Sequence, residues 1–188
     1  MDKVTKAIEF AARAHDGMIR KKDKTPYILH PLEAAVIVGS MTEDRDVISA
    51  AVLHDVVEDT NIPIEVIEEH FGPRVRYLVE SETEDKRADL PPEDTWRIRK
   101  EESLIELEKC GDTDVLMLWL GDKLSNMRSF YRIWKTEGDS MWQSFNQNDP
   151  DQQKWYYSRI AELTSCLKEC SAWLEYNELV KLVFGKDN

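Results

Sequence analysis

The sequence predicts an all-α protein folded as a single helical bundle. Apolar residues recur at helical spacing along nearly the whole chain, and the sequence contains no convincing strand pair and no internal repeat. Hydrophobic residues make up 41% of the chain and charged residues 33%, a balance typical of globular proteins. Because 188 residues suffice for one well-packed core but not for two large ones, we predict one domain over residues 1–188.

Three helices are predicted in the first third of the chain. The first follows apolar spacing from Val4 to His15 and ends at the glycine and basic run beyond. Pro31 opens the second, the segment PLEAAVIVGS, because proline is tolerated in the first turn of a helix. The third runs from about Asp46 into the segment AAVLHDVVEDT at 50–60.

Helical periodicity continues toward the carboxyl end and is interrupted by a charged loop at 82–94. This loop carries two prolines, and either Asp94 or Thr95 is expected to cap the helix that follows it. The apolar segment DVLMLWLGDKLSNMRSFYRIW is expected to lie deep in the core. The remaining predicted elements are a short helix from Pro63, a helix at 74–81, a polar segment at about 136–150 and a terminal helix over roughly 151–183.

Bulk charge and cysteine content exclude several functional classes. A formal net charge of −12 argues against binding to nucleic acid, which requires an extended basic face. Three cysteines without a CxxC pair suggest reduced thiols, and the amino terminus lacks the apolar core of a signal peptide. The longest apolar run, 115–120, is far below the ~18 residues that span a bilayer. We therefore expect a cytoplasmic protein with no membrane partner; the sequence carries no signal for an oligomeric state.

The segment AAVLHDVVEDT places four ionisable groups just after an apolar run. On a continuous helix, with about 100° between successive residues, they share well under half of the circumference. One interpretation is an amphipathic helix whose charged side faces water. The other is that the charges surround a bound ion, and the segment then supplies His54, Asp55, Glu58 and Asp59.

Two further polar residues lie in apolar surroundings, where an unpaired charge would cost several kcal/mol. Asp122 follows the run VLMLWLG, with Asn126 one turn later on the same face, and His30 precedes an apolar helix. Taken singly, each could be a hydrogen-bonded structural residue. Together, two imidazoles and two aspartates suit a first-row divalent metal such as manganese, iron or zinc better than magnesium.

One basic run stands out in this acidic chain, at residues 20–24. It could be a solvated loop or a cationic lip that attracts a polyphosphate nucleotide, with Arg20 also able to stack on a base. The sequence has no GxxxxGK[ST] loop, which excludes a P-loop nucleotide site. His15 lies on the face of the first helix and is expected to be structural.

Four motifs in fixed order resemble those of the HD phosphohydrolases. They are AHDGMIRKKDKTPYILHP at 14–31, AAVLHDVVEDT at 50–60, FGPRVRYLV at 71–79 and LGDKLSNMRS at 120–129. More narrowly, the chain resembles the hydrolase domain of RelA/SpoT-type alarmone enzymes, in the form of a stand-alone small alarmone hydrolase. The resemblance implies an HD-domain helical bundle with a motif core at about 14–129 and a helical extension at about 136–188.

The resemblance also implies roles for individual residues. It assigns metal ligation, usually of Mn²⁺, to His30, His54, Asp55 and Asp122. It implies that Glu58 and Asp59 act on the attacking water and the leaving group, in either order. It places Arg20 and Lys21 against the nucleotide and Asn126 on the ribose. Met18 and Lys123 stand where many relatives have Gln and Arg. These departures bear on which substrate is bound more than on the reaction chemistry.

Three functions follow as alternatives from these motifs. The leading hypothesis is Mn²⁺-dependent hydrolysis of the 3′-diphosphate of guanosine alarmones (ppGpp and pppGpp), giving GDP or GTP and pyrophosphate. The second keeps the chemistry on another nucleotide, such as removal of the 2′-phosphate of NADPH. The third is an alarmone-binding sensor without activity, which retention of every expected ligand and of Glu58 and Asp59 disfavours.

Overall fold

Helices form the regular structure throughout the part of the chain that this computed structural model describes, namely residues 1–20, 24–85, 87 and 89–185, apart from the side chain of Glu93. Two short 3-10 helices lie at Gly138–Ser144 and Ser165–Leu167, and the pairing of Ile19 with Pro26 is an isolated bridge. The prediction of an all-α fold is confirmed. The α-helices are α1 (Lys3–Ala14), α2 (Leu29–Gly39), α3 (Arg45–Leu53), α4 (Val56–Asp59), α5 (Ile64–Phe71), α6 (Pro73–Glu80), α7 (Pro92–Lys109), α8 (Thr113–Glu137), α9 (Pro150–Leu163) and α10 (Ser171–Phe184).

Helix starts are marked by aspartate caps and by prolines. The side chains of Asp44, Asp112 and Asp149 accept hydrogen bonds from backbone N–H groups two residues further on, which satisfies donors that the first turn leaves unpaired. Prolines open α6, α7 and α9, where no backbone N–H is needed. These signals are local, so the sequence alone fixes many of the boundaries.

The long helix α8 is the centre of the packing, with α2, α3 and α10 against it. Its residues are buried almost continuously from Val115 to Ser125, as expected for an apolar segment deep in the core. At Gly121 the helix comes so close to α2 that an added Cβ would lie 2.6 Å from Val38 Cγ2 and 3.1 Å from the carbonyl oxygen of Ala34. This close approach sets the depth of Asp122, the next residue, within the bundle.

Two sequence predictions of helix extent are wrong. The third predicted helix is interrupted at His54 and Asp55, which form a turn between α3 and α4. The predicted terminal helix over 151–183 is two helices, α9 and α10, because the chain turns back at 164–170 to lay α10 against α8 and α9. Helical periodicity continues across such reversals and therefore does not reveal them.

The start of α7 also differs from the prediction. Neither Asp94 nor Thr95 caps it; the helix begins at Pro92, preceded by Pro91 in an extended conformation. Thr95 instead lies buried within the first turns. The predicted polar segment at 136–150 contains the longer 3-10 helix, whose Met141 and Trp142 are buried. Among the residues described, no helix is long and apolar enough to cross a membrane.

We predict that Gly121→Ala lowers the free energy of unfolding by about 1–3 kcal/mol, because the added methyl group would overlap Val38 and force α2 and α8 apart. The matched control is Gly39→Ala, another helical glycine, where the added Cβ would meet only Ile48 Cδ1 at an ordinary 3.8 Å. Urea denaturation of both variants measures the difference. Equal stability of the two variants would contradict the close packing of α2 on α8.

Candidate metal centre and substrate cavities

Four of the predicted site residues come together from three parts of the chain. His30 lies in the first turn of α2, His54 and Asp55 form the turn after α3, and Asp122 lies midway along α8. The apolar faces of these three helices pack on one another, and this packing brings the polar side chains to one point. Both histidines and Asp122 are buried, and Asp55 is partly exposed.

Both imidazoles direct their Nε2 atoms at both carboxylates. His30 Nε2 lies 2.9 Å from Asp122 Oδ1 and 3.5 Å from Asp55 Oδ2. His54 Nε2 lies 3.2 Å from Asp55 Oδ2 and 3.6 Å from Asp122 Oδ1. One potential ligand atom from each of His30, His54 and Asp122 lies within 4.8 Å of the others, the arrangement expected of a metal-binding group.

The opposite nitrogen of each ring determines its tautomer. His54 Nδ1 lies 2.9 Å from the carbonyl oxygen of Ala51, which can only accept, so Nδ1 carries the proton. Ser125 donates to Glu33 at 2.8 Å and therefore accepts from His30 Nδ1, also at 2.8 Å. In the neutral form of each ring, Nε2 thus presents its lone pair to the carboxylates. Such fixing of the far nitrogen is typical of metal-binding histidines.

The imidazole nitrogens and carboxylates of this cluster form a site suited to a cation. His54 Nε2 is buried and has no hydrogen-bond partner among the described residues, since the groups that face it are themselves acceptors. Burial lowers the pKa of His54, but the charges of Asp55 and Asp122 outweigh it and raise that pKa well above its usual value. For Asp55, burial opposes ionisation, while His54 and His30 lower the pKa. A proton or a metal ion would satisfy the cluster.

The residues present fit a divalent ion. Imidazole nitrogen and carboxylate oxygen bind an ion such as Zn²⁺ at about 2.0–2.2 Å, which puts adjacent ligand atoms about 3 Å apart. The contacts between the rings and the carboxylates span 2.9–3.6 Å, close to that spacing. Tyr27 supports the set by donating to Asp55 Oδ2 at 2.7 Å.

Lys123 adds a charge beside the cluster. Its ammonium contacts Asp122 Oδ2 and lies 3.4 Å from Glu82 Oε1 and 4.8 Å from the centre of the Trp119 ring. Burial raises the pKa of Glu82 to about 8, although Lys123 opposes the shift. Lys123 thus contacts both acids, and Asp122 is the nearer of the two.

Four of the predicted catalytic and nucleotide-contacting residues lie among the described residues. Glu58 and Asp59 lie on α4, both partly exposed. Arg20 Nη2 donates to Asn126 Oδ1 at 2.8 Å, and Asn126 Nδ2 donates to Asp122 Oδ1 at 2.8 Å. The bond from Asn126 to Asp122 agrees with the prediction that they share one face of the helix. Lys21, the remaining predicted contact, lies outside the described residues.

Two adjoining cavities open beside these groups. The first, of about 370 Å³, is lined by the apolar residues Met18, Ile19 and Phe145 and also by Asp59 and Tyr27. The second, of about 280 Å³, is lined by Lys100, Lys123 and Asn126 among others. Both are lined by Arg20, Phe130, Phe145 and Asn146. The two residues that depart from the pattern of relatives, Met18 and Lys123, thus line different cavities.

The sequence analysis missed several supporting residues. Tyr27 and Ser125 lie inside quoted motifs, yet nothing in their spacing signals a hydrogen bond to Asp55 or to His30. The sequence predicts only that Lys100 lies on a helix. Lys100 is four residues after Trp96, so both lie on one face of α7, and both line the second cavity. His15 is buried and its ring lies 5.0 Å from the Tyr27 ring, as a packing residue would.

Comparison with known proteins identifies the family. The model of the HD domain family matches residues 7–149. The chain belongs to the HD domain family. The motif-based prediction of this membership is therefore confirmed, and the HD domain together with the His–Asp cluster implies a divalent metal ion.

Several HD-domain relatives are enzymes of alarmone metabolism. The chain is 43% identical over 133 residues to the guanosine-3′,5′-bis(diphosphate) 3′-pyrophosphohydrolase MESH1 of Xenopus tropicalis, covering 69% of this chain and 70% of the relative. It is 35% identical over 130 residues to the enzyme of the same activity from Aquifex aeolicus, again over 69% of this chain but only 18% of that protein. The chain thus spans a small part of the long relatives.

Solved structures agree with the fold over most of the chain. A metazoan ortholog of SpoT that hydrolyses ppGpp superimposes with a TM-score of 0.75 at 27% identity, covering 97% of this chain and 96% of that one. A Listeria monocytogenes protein superimposes with a TM-score of 0.73 at 33% identity, covering 84% and 99%. The match with the first structure extends across nearly the whole chain.

We predict that Mn²⁺ stabilises the protein through the His–Asp cluster. At a free concentration of one hundred times Kd, binding to the folded state alone contributes about 2.7 kcal/mol, and Tm should rise by roughly 5–10 °C. His54→Ala should abolish the rise. His70→Ala, at an exposed histidine outside the cluster, should retain it. Stoichiometric manganese in purified His54→Ala protein would contradict the assignment.

We predict that Ser125→Ala lowers manganese affinity about 10- to 100-fold, because His30 Nδ1 would lose the oxygen that holds its ring in place. Ser49→Ala is the matched control, since Ser49 is equally buried on α3 and its hydroxyl has no hydrogen-bond partner among the described residues. Calorimetric titration of apo protein with Mn²⁺ measures both. Unchanged affinity in Ser125→Ala would exclude this supporting role.

Proposed function

We propose that this protein is a Mn²⁺-dependent phosphohydrolase that removes the 3′-diphosphate of guanosine alarmones, converting ppGpp to GDP and pppGpp to GTP, with pyrophosphate as the other product. The observation that carries the proposal is the convergence of two imidazole lone pairs on two carboxylates, with Glu58 and Asp59 one helical turn away. The ppGpp-hydrolysing relatives support the choice of substrate.

His30, His54, Asp55 and Asp122 would hold the ion. A divalent ion at this point supplies Lewis-acid activation of the phosphoryl group and lowers the pKa of water from 15.7 toward about 7. Hydrolysis also requires a proton to leave the attacking water and another to reach the leaving ribose 3′-oxygen as its bond to phosphorus breaks. Glu58 and Asp59 divide these two proton transfers, one accepting the proton of the attacking water and the other supplying the proton of the leaving oxygen.

The larger apolar cavity suits the nucleoside. It is lined by the side chains of Met18, Ile19 and Phe145, which offer apolar contact to a purine, while Arg20 can stack on the base. Asp59 lines the same cavity, as does Tyr27, which donates to Asp55. A nucleoside held there would direct its ribose toward Asn126 and its 3′-phosphates toward the metal centre.

Product analysis over a panel of nucleotides tests the proposal. Purified protein with Mn²⁺ is incubated with ppGpp, pppGpp and NADPH, and pyrophosphate and orthophosphate are measured separately. Release of pyrophosphate from the first two supports it. Turnover of NADPH with ppGpp untouched would replace it with the nucleotide 2′-phosphatase alternative. Tight ppGpp binding without turnover would indicate a sensor.

We predict that Glu58→Gln reduces kcat for ppGpp at least 100-fold while manganese content stays normal, because the amide cannot accept or return the proton of the attacking water. Glu65→Gln, an exposed acid on α5, is the control and should retain full activity. Steady-state kinetics and metal analysis of the same preparations measure both properties. Retention of wild-type kcat in Glu58→Gln would remove this residue from the chemistry.

A further inference from the structure

The smaller of the two adjoining cavities is cationic, in a protein whose formal net charge is −12. Among the described residues that line it, the charged ones are Arg20, Lys100 and Lys123. Side-chain amides add further hydrogen-bond donors around them, from Asn126, Asn146, Gln147 and Gln153. Cations and amides without a lining carboxylate form the surroundings that a multiply charged anion requires.

Each lysine of this cavity is paired with a glutamate that does not line it. Lys100 Nζ lies 2.6 Å from Glu84 Oε1 and 4.9 Å from the centre of the Tyr156 ring. Glu84 also accepts from Arg99 at 3.0 Å and from Ser103 at 3.2 Å, which ties it to α7. Neither Glu84 nor the partner of Lys123, Glu82, is among the described lining residues. The ammonium groups are therefore oriented by carboxylates outside the cavity that they line.

This cavity also borders the reacting centre. Asn126 donates to Asp122 Oδ1 and Lys123 contacts Asp122 Oδ2, so two of its lining residues bond a proposed metal ligand. It shares Arg20 and three further residues with the nucleoside cavity. A 3′-phosphate placed at the metal centre would thus lie close to this cationic cavity, which adjoins the nucleoside cavity.

We propose that the cationic cavity binds the terminal phosphate of the substrate's 3′-diphosphate, and that Lys100 determines the preference for a diphosphate over a monophosphate. The inference rests on the proposed function and extends it, because hydrolysis at the metal centre alone would serve a 3′-monophosphate as well. Lys100 is the informative residue, since it lines the cavity from α7 and is remote in sequence from the proposed metal ligands.

The experiment compares ppGpp with guanosine 5′-diphosphate 3′-monophosphate as substrates, and pyrophosphate with orthophosphate as inhibitors. In Lys100→Gln we expect kcat/KM for ppGpp to fall about 10- to 100-fold and the inhibition constant of pyrophosphate to rise by a similar factor, as for a lost charged hydrogen bond. The values for the monophosphate substrate and for orthophosphate should change less than about threefold. Lys100→Arg should retain most of the preference.

Two further variants control for a general effect of lost charge on α7 and for misfolding of Lys100→Gln. Lys109→Gln makes the same charge change at an exposed position of α7 and should behave as wild type. Gln147→Glu adds a negative charge at the cavity while keeping the oxygen that accepts from the Asp149 N–H at 3.0 Å, so it tests the cavity even if Lys100→Gln does not fold. It should weaken pyrophosphate inhibition at least tenfold.

The possible failures are distinguishable. If wild-type protein hydrolyses no 3′-phosphorylated guanosine nucleotide, the proposed function fails, and calorimetry with pyrophosphate on the manganese-loaded protein still tests the cavity. If ppGpp is hydrolysed but Lys100→Gln and Gln147→Glu lower activity equally for both substrates, the assignment of this cavity to the terminal phosphate is overturned. Unchanged pyrophosphate affinity in both variants would overturn it as well.

Discussion

Two imidazole nitrogens and two carboxylates are directed at one point among α2, α3 and α8. The free-energy cost of burying these groups together is the constraint to which the surrounding structure responds. Once Ala51 and Ser125 fix the protons on the Nδ1 atoms, every group directed at this point accepts hydrogen bonds. Burying such groups without a cation costs several kcal/mol. The cluster is therefore a site that the rest of the fold must hold together, and a bound ion would relieve the cost.

The same requirement accounts for the neighbouring polar residues. Tyr27 donates to Asp55, and Asn126 and Lys123 both reach Asp122, so each carboxylate has partners that keep it ionised and oriented. Arg20 extends this chain of bonds through Asn126 to the cavity walls. The cavities and the cluster are thus linked by direct hydrogen bonds.

Helical periodicity predicted the all-α fold, polar groups in apolar segments indicated a cluster, and the resemblance of four ordered motifs predicted the family and the four residues that the structure brings together. The prediction of helix boundaries failed where the chain changes direction. The turn at His54 and Asp55 and the reversal between α9 and α10 depend on tertiary packing, which periodicity does not record. Ser125, Tyr27 and Lys100 were missed for a related reason, since each acquires its role only from a contact across the bundle. The assignment of the whole chain to one domain stays a prediction.

The continuity of α8 has a consequence for how substrate preference can change. One uninterrupted helix carries Asp122, Lys123, Ser125 and Asn126, so the groups proposed to contact the ion, the ribose and the phosphates share a rigid support. A shift or rotation of that support would disturb all of them together. Changes of specificity that spare turnover should therefore accumulate in the irregular segments facing it, at residues 18–20 and 144–147, where a side chain can vary without moving the ligands.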